Sequence, residues 1–103
     1  MKPEKLTQTA ITAGLAETPG WQFKSDALST TYKCASFPDA VGLFNRLAFS
    51  AEAADHHPDV TISYRKVTVT WSTHDSGGVT QKDLDGVKET ERIARQFNAP
   101  HAA

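Results

Sequence analysis

Leu6, Ala10, Ile11 and Leu15 recur at helical intervals, which predicts a first helix reaching about Glu17. Pro19-Gly20 should end it, because proline restricts the residue before it and glycine opens turn geometry. Trp21 and Phe23 then suggest a short strand. From Ala27 to Ala35, Leu28, Thr30, Tyr32 and Cys34 share one side of an extended chain, which predicts a second strand. Ser36-Phe37-Pro38-Asp39 reads as a helix start, with Ser36 accepting from an orphan N–H, Asp39 reaching back and Pro38 in the first turn. Val41, Phe44, Leu47, Ala48 and Ala51 form the apolar stripe of the helix that follows, which should run to about Asp55 before Pro58.

Strict alternation returns with Val60, Ile62 and Tyr64, and again with Val67, Val69 and Trp71. Only Arg65 and Lys66 separate the two runs, so a tight antiparallel hairpin is expected. Ser76-Gly77-Gly78 is a loop, and Thr80 with Asp83 is a second capping box. It opens a last helix carrying Leu84, Val87, Ile93 and Phe97. The element order is therefore α-β-β-α-β-β-α. Strands with one apolar and one polar face imply an α+β fold, a four-stranded antiparallel sheet with helices on one face. The whole chain, 1–103, reads as a single domain whose last few residues, His101 among them, should be disordered.

Composition narrows the function. At 39% hydrophobic and 22% charged residues the chain resembles an ordinary globular domain, and one this short gains by burying apolar surface in an oligomer. A net charge of -1, with no Lys/Arg cluster interleaved with aromatics, argues against direct nucleic-acid binding. The single cysteine, Cys34, cannot form an internal disulfide, which suits a reducing compartment. The polar Met1–Gln8 stretch offers no apolar signal region, and nothing approaches a membrane span. The expectation is a cytoplasmic protein.

Three of the four histidines fall at predicted element ends: His56 and His57 after the long helix, and His74 after the last strand. Such ends present functional groups, and imidazole exchanges protons near neutral pH. Blander roles compete. His56 and His57 read equally well as favourable charges at a helix C-terminus, and a lone loop histidine such as His74 is more often ordinary. A metal centre fits poorly, because adjacent histidines diverge and the spacing matches no zinc motif, so no metal is expected.

Taken together, Glu52-x-x-x-His56-His57-Pro58, Tyr64, His74 and Asp83 resemble the signature of the pterin-4a-carbinolamine dehydratases, with five, nine and eight residues in the successive intervals from Pro58. Leu6-Thr7 and Pro19-Gly20-Trp21 look like that family's opening, Phe37–Glu52 like its central helix, and Thr73-His74-Asp75 with Gly77-Gly78-Val79-Thr80 like its closing segment. The family's fold has the same element order. The resemblance implies catalytic roles for His56, His57 and His74, and substrate contacts at Asp55, His56, His57, Ser72, Thr73, His74 and Asp75. Glu52 and Asp83 match signature carboxylates, and Trp21 resembles a tryptophan near the pterin pocket. On residues alone, Asp83 is first a capping partner, Glu52 a solvated helix residue, and Tyr64 and Trp71 packing residues. Val60 and Lys82 replace a tryptophan and an arginine of animal members, which bears on pterin packing and affinity.

The implied reaction is dehydration of 4a-hydroxytetrahydropterin to quinonoid dihydropterin, a hydro-lyase step in tetrahydrobiopterin-type cofactor recycling. It needs a proton delivered to the departing oxygen and one removed from nitrogen, with no redox change and hence no cofactor. Asp55 could fix one imidazole's tautomer. The resemblance further implies a homodimer or homotetramer, for which the strand carrying Thr30 and Tyr32 offers an edge, and a link to an aromatic amino-acid hydroxylase. The alternative is a non-catalytic interaction protein on the same fold, a transcriptional coactivator or assembly factor.

Overall fold

The computed structural model describes residues 2–102. Its elements are α1 (Gln8–Gly14), β1 (Gln22–Lys24), β2 (Ala27–Lys33), α2 (Phe37–Ala54), β3 (Asp59–Ser63), β4 (Lys66–Trp71), a 3-10 turn (His74–Ser76) and α3 (Gln81–Gln96). The expected α-β-β-α-β-β-α order is present. The strands form one antiparallel sheet in the order β1-β2-β4-β3. Alternation does what the sequence asks of it: Leu28, Thr30 and Tyr32 of β2 and Val67, Val69 and Trp71 of β4 are buried. Each pair is matched across the ladder, with Leu28 opposite Trp71 and Tyr32 opposite Val67. The other parity carries hydroxyls, and Thr31 and Thr68 bond across strands at 2.8 Å.

Several details depart from expectation. Helix α1 stops at Gly14, where a Cβ would meet the Leu84 side chain at 2.6 Å, and the chain continues in turns. In α2 the buried stripe is Ala40, Leu43, Leu47 and Ala51, whereas Val41 and Phe44 are exposed together with Phe37 and Phe49. Apolar residues occupy two neighbouring stripes of this helix, and only one can face the sheet. Ser36 caps α2 by accepting from the Asp39 N–H at 3.1 Å, but Asp39 returns no bond among the described residues. The hairpin turn is Tyr64-Arg65, one residue earlier than expected, because Ser63 pairs with Lys66. A two-residue hairpin favours positive φ in its first central residue, which places Tyr64 at φ 54° and leaves its ring 86% exposed rather than packed in the sheet. Trp71 is core, as its parity predicts.

The end of the chain, where disorder is expected, is paired with β2 through Ala102. Because β1 is only three residues long, half of one side of β2 would lack a hydrogen-bonding neighbour. Pro100–Ala102 fills that row: the Lys33 N–H donates to Pro100 O and the Ala102 N–H to Thr31 O, both at 2.8 Å. His101 pairs with Tyr32 and lies over its ring, with centroids 4.7 Å apart. Strand β2 is consequently interior, and the edge-to-edge pairing expected of it is not available.

Beneath the tail, Glu91 of α3 gathers two donors on Oε1: the Trp21 indole at 2.8 Å and the Tyr32 hydroxyl at 2.6 Å. His101 Nε2 lies 2.8 Å from the same oxygen without the geometry of a hydrogen bond. Burial, and then the Glu91 carboxylate, push the Tyr32 phenol well above its ordinary range. The unfolded chain releases this proton above about pH 10 while the native state keeps it, so this contribution to stability is complete below that pH and declines above it. Urea midpoints compared between pH 8 and pH 11 should therefore fall more steeply for the wild type than for Tyr32→Phe. Parallel slopes would contradict this account.

Candidate active site

Two chain reversals bring the histidines together. Helix α2 ends on Asp55, which takes the left-handed conformation (φ 52°), so that the Asp55 and His56 N–H groups return to Glu52 O and Ala51 O at 3.1 Å. Left-handed backbone is tolerated best by Asn and Asp after Gly, which suits Asp here. The turn releases His56 and His57 immediately before β3. Strand β4, from the neighbouring position in the sheet, delivers Ser72 and Thr73 to the 3-10 turn that begins with His74.

Between these segments lies a cleft of about 380 Å³ lined by Asp55, His56, His57, Ser72, Thr73, His74 and Asp75, with Pro3 and Lys82 completing its walls. All seven residues expected to contact substrate thus line one cleft. Trp21 does not; its indole is buried and turned toward Glu91. Pro3 carries no chemical signature, and only its distant position in the folded chain brings it here. A second groove of about 250 Å³ runs between α2 and α3 over Ala51, Ala54 and Trp71, and shares His56 and Lys82 with the cleft.

The imidazoles differ in how firmly they are held. His56 is largely buried, and its ring stacks on Trp71 with centroids 5.3 Å apart. The indole fits beneath α3 because residue 86 is glycine, where a Cβ would meet the ring at 2.6 Å, and its N–H donates to Thr90 Oγ1 at 3.0 Å. His56 Nε2 meets Asp83 Oδ1 at 2.6 Å. Asp83 is fully buried, and its other oxygen accepts from Thr73 Oγ1 at 2.8 Å and from the Thr80 N–H at 2.9 Å. These donors offset the cost of burying the carboxylate. They also commit Oδ1 to His56, so Nε2 carries the proton in this network and Nδ1 is the nitrogen left for exchange.

Asp83 therefore does two things at once. It closes the capping box of α3, as its spacing from Thr80 predicts, and it orients His56. Asp55, the residue expected to fix a tautomer, has no side-chain hydrogen bond or ion pair among the described residues. His57 Nε2 pairs with Glu52 Oε1 at 2.7 Å, but both side chains are mostly exposed and the pair holds the ring only loosely. His74 is exposed and its ring has no hydrogen-bond partner among the described residues. Two oriented imidazoles and one bare one around a polar cleft can deliver and remove protons on a bound small molecule. Among the described residues, no cluster of His, Cys, Asp or Glu could hold a metal ion, and no helix is long and apolar enough to cross a membrane.

Residues 4–93 match the sequence model of a family described as pterin 4 alpha carbinolamine dehydratase. A Picosynechococcus protein named as a pterin-4-alpha-carbinolamine dehydratase is 48% identical over 79% of this chain and 88% of its own. A Nocardia farcinica protein of the same name is 41% identical over 92% of this chain and the full length of its own. Among solved structures, a transcriptional coactivator/pterin dehydratase from Brucella melitensis superimposes with a TM-score of 0.85 at 32% identity, covering 88% of this chain and 99% of that one.

Proposed function

Because this chain belongs to the pterin-4a-carbinolamine dehydratase family, we propose that it converts 4a-hydroxytetrahydropterin to quinonoid dihydropterin and water by histidine general acid/base catalysis. The observation that supports this most is the convergence of His56, His57 and His74 on one cleft, with the buried Asp83 carboxylate behind His56.

In the elimination, one imidazolium protonates the C4a hydroxyl as the C–O bond breaks, and one neutral imidazole removes the N5 proton. The N5 lone pair closes the C4a=N5 double bond, and water leaves. Both histidines end in exchanged protonation states, so proton return through solvent resets the site. His74 and one member of the His56/His57 pair are the exchanging groups. Asp83 suits His56 to this task, since a carboxylate fixes the tautomer and steadies the imidazolium when it forms. His57, near solvent with Glu52, then orients or polarises the pterin. Ser72 contributes its backbone more than its hydroxyl, which is committed to Asp26 O at 3.0 Å. Lys82 on the cleft wall offers a single point charge where animal members have a planar guanidinium.

The physiological setting that fits is cytoplasmic tetrahydrobiopterin-type cofactor recycling beside an aromatic amino-acid hydroxylase. Self-association, as dimer or tetramer, would use the second stripe of α2, where Phe37, Val41 and Phe44 lie exposed in line. Sedimentation as a monomer at micromolar concentration would rule that out. The activity is tested by following chemically prepared 4a-hydroxytetrahydropterin by absorbance. Acceleration of its dehydration by the wild type supports the reading. A folded protein that leaves the spontaneous rate unchanged would make this an interaction protein on the same scaffold.

A further inference from the structure

His56 and His57 are each held by a carboxylate, whereas the His74 ring has no hydrogen-bond partner among the described residues. What places His74 is its backbone, so the support of the 74–78 loop matters to the chemistry. Within itself the loop is closed by the Thr73–Gly78 bridge, with the Thr73 N–H donating to Gly78 O at 2.9 Å. Asp83 and Thr80 hold Thr73 at its base, and further supports come from the N-terminal segment. The Ser76 hydroxyl donates to Pro3 O at 2.5 Å, and the Leu6 N–H donates to Val79 O at 2.8 Å. Between these points the Lys5 stem lies over Gly78, where a Cβ would come within 2.7 Å of Lys5 Cε. The Lys5 ammonium then approaches Asp26 Oδ1 at 3.8 Å, and the Asp26 carbonyl accepts the hydroxyl of Ser72, two residues before His74. Pro3 itself lines the cleft, yet lies just outside the family-matched stretch.

We propose that Pro3–Leu6 is a strap that positions His74 through Ser76 and supplies, with Pro3, one substrate-facing wall of the cleft. This rests on the dehydratase reading for its kinetic consequence but not for its structural one. Ser76 is a positioning residue: its hydroxyl ties the turn that carries His74 to the strap. Proline suits the wall because its ring fixes φ and lowers the entropic cost of ordering this stretch.

The test compares wild type, Ser76→Ala, Ser76→Thr and Pro3→Gly in the dehydration assay and in histidine NMR. Ser76→Ala should lower kcat by about tenfold, the scale expected when a catalytic group loses its fixed geometry. It should also shift or broaden the His74 Cε1–H resonance while those of His56 and His57 stay in place. Ser76→Thr, which keeps the hydroxyl, should restore both. Pro3→Gly should raise KM more than it lowers kcat. A Ser76→Ala protein with wild-type kcat and an unmoved His74 resonance would overturn the strap. If the wild type has no dehydratase activity the functional reading fails, and the His74 resonance alone still decides whether the strap positions the ring.

Discussion

Replacing His74 by alanine should lower kcat for 4a-hydroxytetrahydropterin dehydration by about 100-fold or more, the usual scale for loss of a general acid or base. The same change should leave stability within about 0.5 kcal/mol of wild type, because the ring is exposed and has no hydrogen-bond partner among the described residues. Few substitutions in this molecule separate catalysis from folding so cleanly. His56→Ala would not, since it opens space against Trp71 and strips Asp83 of its buried partner. Stopped-flow absorbance with a parallel urea titration checks both halves. Full activity in the variant would remove His74 from the mechanism and leave the buried His56–Asp83 pair to act without it.

Asp83 should give the largest stability effect in the site. Alanine there leaves the Thr80 N–H, the Thr73 hydroxyl and His56 Nε2 without their acceptor in a buried setting. Breaking a buried charged partner costs about 3–5 kcal/mol, with the lost helix cap included in that cost. Asparagine is the more informative change. Its size is conserved, but its amide can present N–H to Nε2 and so favour the wrong tautomer of His56, an effect of about 100-fold on activity by analogy with other oriented imidazoles. The expected signature is a stable Asp83→Asn protein with depressed kcat and an altered pH profile. An asparagine variant with wild-type kcat at every pH would confine Asp83 to capping.

How far the sequence anticipates this site depends on the range of each interaction. Strands β2 and β4 are legible because their alternation is local and each parity has one environment. The capping box of α3 is legible for the same reason, with signal and partner three positions apart. The second role of Asp83 is not, since His56 lies 27 positions away and only the turn at Asp55 brings them together. The facing stripe of α2 is ambiguous because Val41 and Phe44 are as apolar as Leu43 and Leu47; the sheet chooses between them. Pro3 in the cleft and His101 on Tyr32 lie beyond local pattern altogether. Each fills a place that exists only once distant strands have assembled, and neither residue type advertises its destination.

The short reach of β1 has a consequence for how the protein behaves at high concentration. Without Pro100–Ala102 the middle of the sheet would offer an unsatisfied Lys33 N–H and Thr31 C=O beside an uncovered Tyr32 ring, a template for any extended segment that met it. The histidine cleft lies elsewhere in the fold and should keep its geometry without the tail. Light scattering from a chain shortened after Asn98 should therefore rise, and should register the tail's removal well before any assay of turnover does.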